Sequence, residues 1–90
     1  MTYTVVWKPG AESALTQAWI EATDRRTLTE AADTIDALLR ASPLEVGESR
    51  ASPTRILVVS PLAVYYDVSE DDRLVTVWAM WRFREQGDER

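Results

Sequence analysis

The sequence predicts a two-layer α+β domain, β-α-α-β(3–4), in which an antiparallel sheet is covered on one face by a helical hairpin. Three observations predict it. Apolar residues recur at helical spacing between Ala11 and Leu39. Beyond residue 43 the pattern turns to the period-two alternation of strands. Pro, Gly and Ser punctuate the chain between these runs. Two amphipathic helices and a sheet must bury their apolar sides against each other, and packing the hairpin on one sheet face does this in two layers. At 90 residues the chain has room for one domain, assigned to residues 1–85, with a polar tail over 86–90.

The first element is Tyr3 to Trp7, a β-branched and aromatic run that reads as a strand. Pro9 and Gly10 end it, and proline suits the first turn of the following helix. Ala11, Ala14, Leu15, Ala18, Trp19 and Ala22 then fall on one helical stripe, which predicts a helix over about 10–22 and places Trp19 in the core. A second stripe, Leu28, Ala31, Ala32, Ile35, Leu38 and Leu39, predicts a helix over about 24–41 with Leu38 under the sheet. Its start is marked by Asp24, or by Thr27 and Glu30 as a capping box. Arg40 complements the dipole at its end, and Ser42-Pro43 stops it.

Residues 43–54 hold Pro43, Gly47 and Pro53, with Glu48 to Arg50 as a short edge strand. Arg55 to Val59 and Leu62 to Val68 are the next strands. If Ser60-Pro61 is a two-residue turn, Val59 lies opposite Leu62 and Leu57 opposite Val64. Leu57, Val59, Leu62, Val64, Tyr66 and Val68 then share the core face, and Ile56, Val58, Ala63, Tyr65 and Asp67 share the other. The segment 69–73 is a charged hairpin loop. In the last strand, Leu74 to Phe83, strict alternation puts Trp78, Met80, Arg82 and Arg84 on the second face. That face is too apolar for water. Either the 43–54 loop folds over it or a partner covers it, and the partner is the preferred reading.

Composition narrows the chemistry. The chain has neither cysteine nor histidine, which excludes disulfides, thiolate nucleophiles, imidazole bases and ordinary zinc sites. No metal and no cofactor is expected; Glu70-Asp71-Asp72 lacks the glycine and distal glutamate of a calcium loop. No run approaches the ~18 apolar residues of a membrane span, and no signal peptide stands out, so a cytoplasmic protein without membrane attachment is expected. The net charge is −5, which opposes broad nucleic-acid binding. Residues 1–48 carry four basic and eight acidic side chains, and residues 49–90 carry six and seven.

The element order and particular residues resemble the RelE/ParE superfamily of toxins from bacterial type II toxin–antitoxin modules. The resemblance spans roughly residues 3–83. It rests on Tyr3-Thr4-Val5-Val6-Trp7 before a Pro-initiated alanine-rich helix, the second helix from Ala31 to Leu39, Pro43 to Arg50, the Arg55-led strand, Tyr66-Asp67-Val68, and Leu74-Val75-Thr76-Val77-Trp78. It implies a sheet with the first strand beside the last. It also implies a toxin of the kind found in plasmid-stabilization systems, neutralised by a cognate antitoxin. RelE-like members cut mRNA on the ribosome and ParE-like members poison DNA gyrase, so either target is implied; a homodimer is also compatible.

The sequence departs from the nuclease pattern. Ala63 and Val64 stand near the place of a usual arginine, and Trp81 stands where a histidine or basic group is common. If the protein is a nuclease, Glu48, Arg50, Arg55, Tyr65 and Arg82 are its candidate catalytic residues, with Glu48 as base and the arginines as phosphate clamps. Outside that reading Arg55, at a strand start, is preferred as a structural residue, a salt-bridge partner of Glu48 or Asp67. The preferred reading is a toxin or toxin-like protein acting by protein–protein contact. Its candidate partner residues are Ile56, Val58, Tyr65, Trp78, Met80, Arg82 and Arg84. The alternatives are a ribosome-dependent mRNA endoribonuclease and an inactive homologue that retains partner binding.

Overall fold

The computed structural model describes residues 2–51 and 53–83. Its elements are β1 (Thr4–Trp7), α1 (Pro9–Glu21), α2 (Arg25–Ala41), β2 (Glu48–Ser49), β3 (Thr54–Val59), β4 (Leu62–Ser69) and β5 (Leu74–Arg82). They form one five-stranded sheet of order β1-β5-β4-β3-β2, with the two helices packed on one face. The expected architecture stands, with one refinement: the sheet is mixed. β1 runs parallel to β5, with Val5 beside Val75 and Trp7 beside Val77. The α1–α2 hairpin carries the chain away from β1, and β1 and β5 end up adjacent with the same direction. The polar tail and Arg84 lie outside the described residues.

Pro9 occupies the first turn of α1, as expected. The Asp24 side chain caps α2 by accepting a hydrogen bond from the Thr27 backbone N–H at 3.2 Å. Thr27 is therefore inside the helix and does not open a capping box. That hydrogen bonding, from the Thr27 hydroxyl first and its N–H second, holds the Asp24 carboxyl below its ordinary pKa. α2 buries Leu28, Ala31, Ile35 and Leu39. Leu38, expected under the sheet, is only partly buried at the margin of the core, and its neighbour Leu39 is fully buried. The buried residues of α1 are Ala11 and Ala18 alone, so it approaches β5 through small side chains.

Trp19 corrects the second helix expectation. It is 43% exposed. Its indole lies under the Arg25 guanidinium, 4.5 Å from the ring centroid. Its Nε1 donates to Thr29 Oγ1 at 3.3 Å, and Arg25 Nε donates to the Trp19 carbonyl at 3.0 Å. The ring thus ties the helices together at their turn, where a large aromatic can sit outside a seam of alanines.

The β3–β4 hairpin has the expected register, with Val59 opposite Leu62 and Leu57 opposite Val64. Leu57, Leu62, Val64 and Tyr66 are buried beneath the helices, with Val59 and Val68 packed against them. β4 and β5 pair less regularly. Tyr65 faces Ala79 and Tyr66 faces Val77, so Trp78 is an extra residue between them. This β-bulge inverts the alternation of every later residue of β5. Val75 and Val77 point to the core, and so does Met80, opposite Val64 and 7% exposed.

Candidate functional site

The sheet face away from the helices is open. The 43–47 segment does not cover it; that segment packs at the rim of the other face, where Pro43 is buried. The Tyr66 hydroxyl lies 2.8 Å from the Pro43 carbonyl oxygen and 2.9 Å from that of Val46, and its proton is shared between them. Gly47 makes this approach feasible. Its φ is +71°, and a β-carbon there would stand 2.5 Å from the Ile56 carbonyl oxygen and 2.8 Å from the Tyr66 hydroxyl. Residues 43–47 therefore do not supply the cover that the second face was expected to need.

The open face is built on three aromatic rings. Tyr65 stacks on Trp78, with centroids 5.1 Å apart and planes 13° from parallel. Trp81 meets Tyr65 from the other side at 5.1 Å and 51°. Such contacts add ~0.5–1.5 kcal/mol each to what burial supplies and hold the rings in place. Ile56 sits opposite Tyr65 in the ladder, and Val58 shares the row of Ala63 and Trp81. Val58, Trp78 and Trp81 remain 53%, 40% and 39% exposed. Val6, opposite Thr76, extends the apolar area toward the β1 edge. Asp67 fixes one end of the cluster: its Oδ1 accepts from Trp78 Nε1 at 3.2 Å and from Thr54 Oγ1 at 2.9 Å.

The bulge redraws the list of residues expected here. Ile56, Val58, Tyr65 and Trp78 lie on this face together. Met80 does not, because its side chain is in the core. Arg82 does not, because it pairs with Leu62 and so shares the helix-bearing side, exposed beyond the helices. Arg84 lies outside the described residues. Trp81, which alternation assigned to the core, belongs to the open face. The signal that finds it in the sequence is the clash of two tryptophans, Trp78 and Trp81, three residues apart in a strand: both can be half exposed on one face only if a residue is inserted between them.

The candidate nuclease residues are split between the two sheet faces: Glu48 shares the open-face row of Ile56 and Tyr65, whereas Arg55 and Arg82 belong to the helix-bearing side. Glu48 and Arg50 form an exposed pair on the edge strand, 3.2 Å apart. Arg55 points to the opposite face, beside Tyr66. Its Nη2 donates to the Val46 carbonyl at 3.1 Å and to the Gly47 carbonyl at 3.4 Å. Its Nε is buried with no hydrogen-bond partner among the described residues. Arg55 is thus a loop pin and pairs with neither Glu48 nor Asp67. Burial pushes the Tyr66 hydroxyl above its ordinary pKa, and the hydrogen bond with Arg55 offsets part of that rise. Arg82 stands at the far end of β5, on the other side of the sheet from Tyr65. No group of acidic residues among those described is arranged to hold a metal ion, and no described helix is long and apolar enough to cross a membrane.

No protein-family model matches the sequence, and no curated protein matches it significantly. Solved structures do match. A chain of the toxin–antitoxin complex RelBE2 from Mycobacterium tuberculosis superposes with a TM-score of 0.74 at 19% identity, covering 91% of this chain and 99% of that one. A chain of the chromosomal ParDE toxin–antitoxin system of P. aeruginosa gives 0.66 at 13% identity, over 91% of this chain and 97% of that one. The isolated E. coli RelE toxin gives 0.58 at 18% identity, over 93% and 87%. Helix hairpin, mixed sheet and strand order together are therefore the fold of the RelE and ParE toxin structures, as the sequence resemblance implies.

Proposed function

We propose that the protein is the toxin, or a toxin-like component, of a type II toxin–antitoxin pair, and that it engages its partners by protein–protein contact through the open face of its sheet. The observation that carries the reading is the Tyr65–Trp78–Trp81 cluster with Ile56 and Val58: an ordered, half-exposed apolar surface on the face that the fold leaves bare. Buried aromatics dominate the energetics of protein interfaces, and a patch of this kind on a small domain marks an interaction site. The fold's likeness to toxins solved with antitoxins supports a cognate antitoxin as one partner.

Contact is favoured over RNA cleavage because the arginines that would clamp a phosphate, Arg55 and Arg82, lie on the opposite side of the sheet from Glu48 and Tyr65. Glu48 is paired at an edge, Arg55 is committed to loop carbonyls, and Arg82 is on the far side of the sheet. A net charge of −5 also repels ribosomal RNA. Of the two targets that the resemblance implies, a protein such as DNA gyrase suits this surface better than the ribosome. Such contacts would take place in the cytoplasm.

The test is expression of the gene with and without its neighbouring open reading frame, followed by purification of any complex. Trp78→Ala is expected to weaken partner binding by ~1–2 kcal/mol or more and to relieve growth inhibition, and Glu48→Gln to change neither. Cleavage of mRNA on translating ribosomes by the purified protein, lost in Glu48→Gln, would replace this reading with the nuclease.

A further inference from the structure

Two aromatic rings away from the open face are each covered by an arginine of the chain itself. The Arg25 guanidinium lies 4.5 Å from the centroid of Trp19, and that of Arg73 lies 5.5 Å from the centroid of Tyr3. Trp78 and Trp81 are about as exposed as Trp19, yet no lysine or arginine among the described residues stands over either ring. Beside Trp78 is a half-buried carboxylate that is only partly engaged. Asp67 accepts from Trp78 Nε1 and Thr54 Oγ1 through Oδ1 alone. Its Oδ2 accepts no hydrogen bond, and the group has no ion-pair partner, among the described residues. Lys8, exposed at the end of β1, forms no ion pair among them either.

The face of an indole is electron-rich and attracts a cation, more strongly as water is excluded. A carboxylate at the N–H edge of the ring offers the same cation a charge-assisted hydrogen bond. Arginine meets both at once, because its planar guanidinium stacks on a ring while its N–H groups reach an oxygen beside it. Arg25 does this on Trp19, where its Nε also donates to the Trp19 carbonyl at 3.0 Å. Tyr65 occupies one side of the Trp78 ring, and the other side is left for a ligand. Asp67 constrains that ligand. An uncharged segment laid on the face would desolvate the carboxylate without giving it a counter-charge. An acidic segment, or the phosphates of a nucleic acid, would add repulsion, and the net charge of −5 opposes both at longer range.

We propose that the open face takes a partner segment that lays an arginine on the Trp78 ring, with its guanidinium hydrogen-bonded to Asp67 Oδ2 and its apolar neighbours on Trp81, Ile56 and Val58. The rings and aliphatic groups supply contact area, and Asp67 selects the cation. The aliphatic stem of the arginine packs on apolar surface as well, so one side chain serves both parts of the site. The proposal rests on the reading of the open face as a protein-contact surface and adds the chemistry of what it contacts: a segment that is apolar and carries an arginine, not an acidic one.

The probes are short leucine-rich peptides identical except at one central position, which holds arginine, its uncharged isostere citrulline, or glutamate. Binding to the full chain is followed through the indole N–H signals in the NMR spectrum, the Trp78 signal being the one lost in Trp78→Leu. The arginine peptide is expected to shift that signal and to bind about tenfold more tightly than the citrulline peptide, with the glutamate peptide weakest. Asp67→Asn keeps an acceptor for Trp78 and Thr54 and should reduce the arginine preference to less than about threefold. Asp33→Asn removes the same charge from an exposed position on α2, in the helix layer, and should leave the preference intact. Thermal melts check that the variants keep the fold, and Trp78→Leu, which retains apolar area but removes the ring, should lower the preference independently of Asp67. Equal losses in Asp67→Asn and Asp33→Asn would show general attraction to an acidic protein and overturn the proposal. So would an arginine preference that moves the Trp7 or Trp19 signal instead of Trp78, or a single-stranded oligonucleotide that binds more tightly than the arginine peptide. Equal binding of the arginine and citrulline peptides at Trp78 would overturn it while leaving the face a protein-contact surface. No shift at Trp78 with any peptide would also overturn it, and the growth assay of Trp78→Ala then judges the contact surface separately.

Discussion

Trp78 and Met80 stand two residues apart in β5 and lie on opposite faces of the sheet. Trp78 stacks on Tyr65 in the open, while Met80 is buried opposite Val64. In a regular strand they would share a face. The single residue inserted at the β4–β5 bulge separates a surface from a core within three positions.

The two residues should therefore fail in different ways. Met80→Ala is expected to destabilise the fold by ~2–5 kcal/mol, as truncation of a buried chain does. Trp78→Ala, which removes a half-exposed ring and its stack on Tyr65, should cost less stability than Met80→Ala, yet weaken partner binding. Chemical denaturation and calorimetry on both variants check this. Equal stability losses would place Trp78 in the core and remove the bulge.

The α2 stripe makes a sharper comparison between neighbours. Leu39 is fully buried and Leu38 only partly so. Leu39→Ala should cost ~2–5 kcal/mol, and Leu38→Ala clearly less. The ordering of denaturation midpoints tests the helix's rotation on the sheet.

Gly47→Ala should destabilise by ~1–3 kcal/mol or more. The position has a φ of +71°, and the added β-carbon would meet the rigid Ile56 carbonyl at 2.5 Å. Glycine adopts this backbone without penalty. Thermal melts of the variant, with Gly10→Ala as the comparison because a β-carbon there meets nothing within 4 Å, would show whether the effect is specific.

Tyr66 makes stability depend on alkaline pH. Burial raises its folded pKa above the ordinary tyrosine value of about 10, so the unfolded chain ionises first. The contribution is complete below the unfolded pKa and is lost as pH rises from there through the folded value. Melting temperature should fall above about pH 10. Tyr66→Phe should be less stable at pH 7, because Pro43 and Val46 lose a donor, and the alkaline fall should be shallower. An equally steep fall would assign it to another group.

The sequence by itself determined the order of the elements, the turn at Ser60-Pro61, the pairing of Leu57 with Val64, and the core positions Leu28, Ile35, Leu39, Leu62, Val64 and Tyr66. Each follows from the spacing of residues within one helix or one tight hairpin, and local periodicity encodes such spacing directly. It also showed that the second sheet face is too apolar for water. The tertiary structure alone decided who occupies that face. The bulge is a mismatch between two strands, and no periodicity within β5 states where its partner skips a residue, although one inserted residue moves Met80 and Arg82 to one side and Trp81 to the other. The parallel placement of β1 depends likewise on where the helix hairpin returns the chain. Trp19 lies on its helix's apolar stripe, but the close approach of Ala11 and Ala18 to β5 leaves no depth for an indole, so the ring turns out over Arg25. Arg55 reads as a charge in the sequence; only the fold places the Val46 and Gly47 carbonyls beside it and makes it a structural pin.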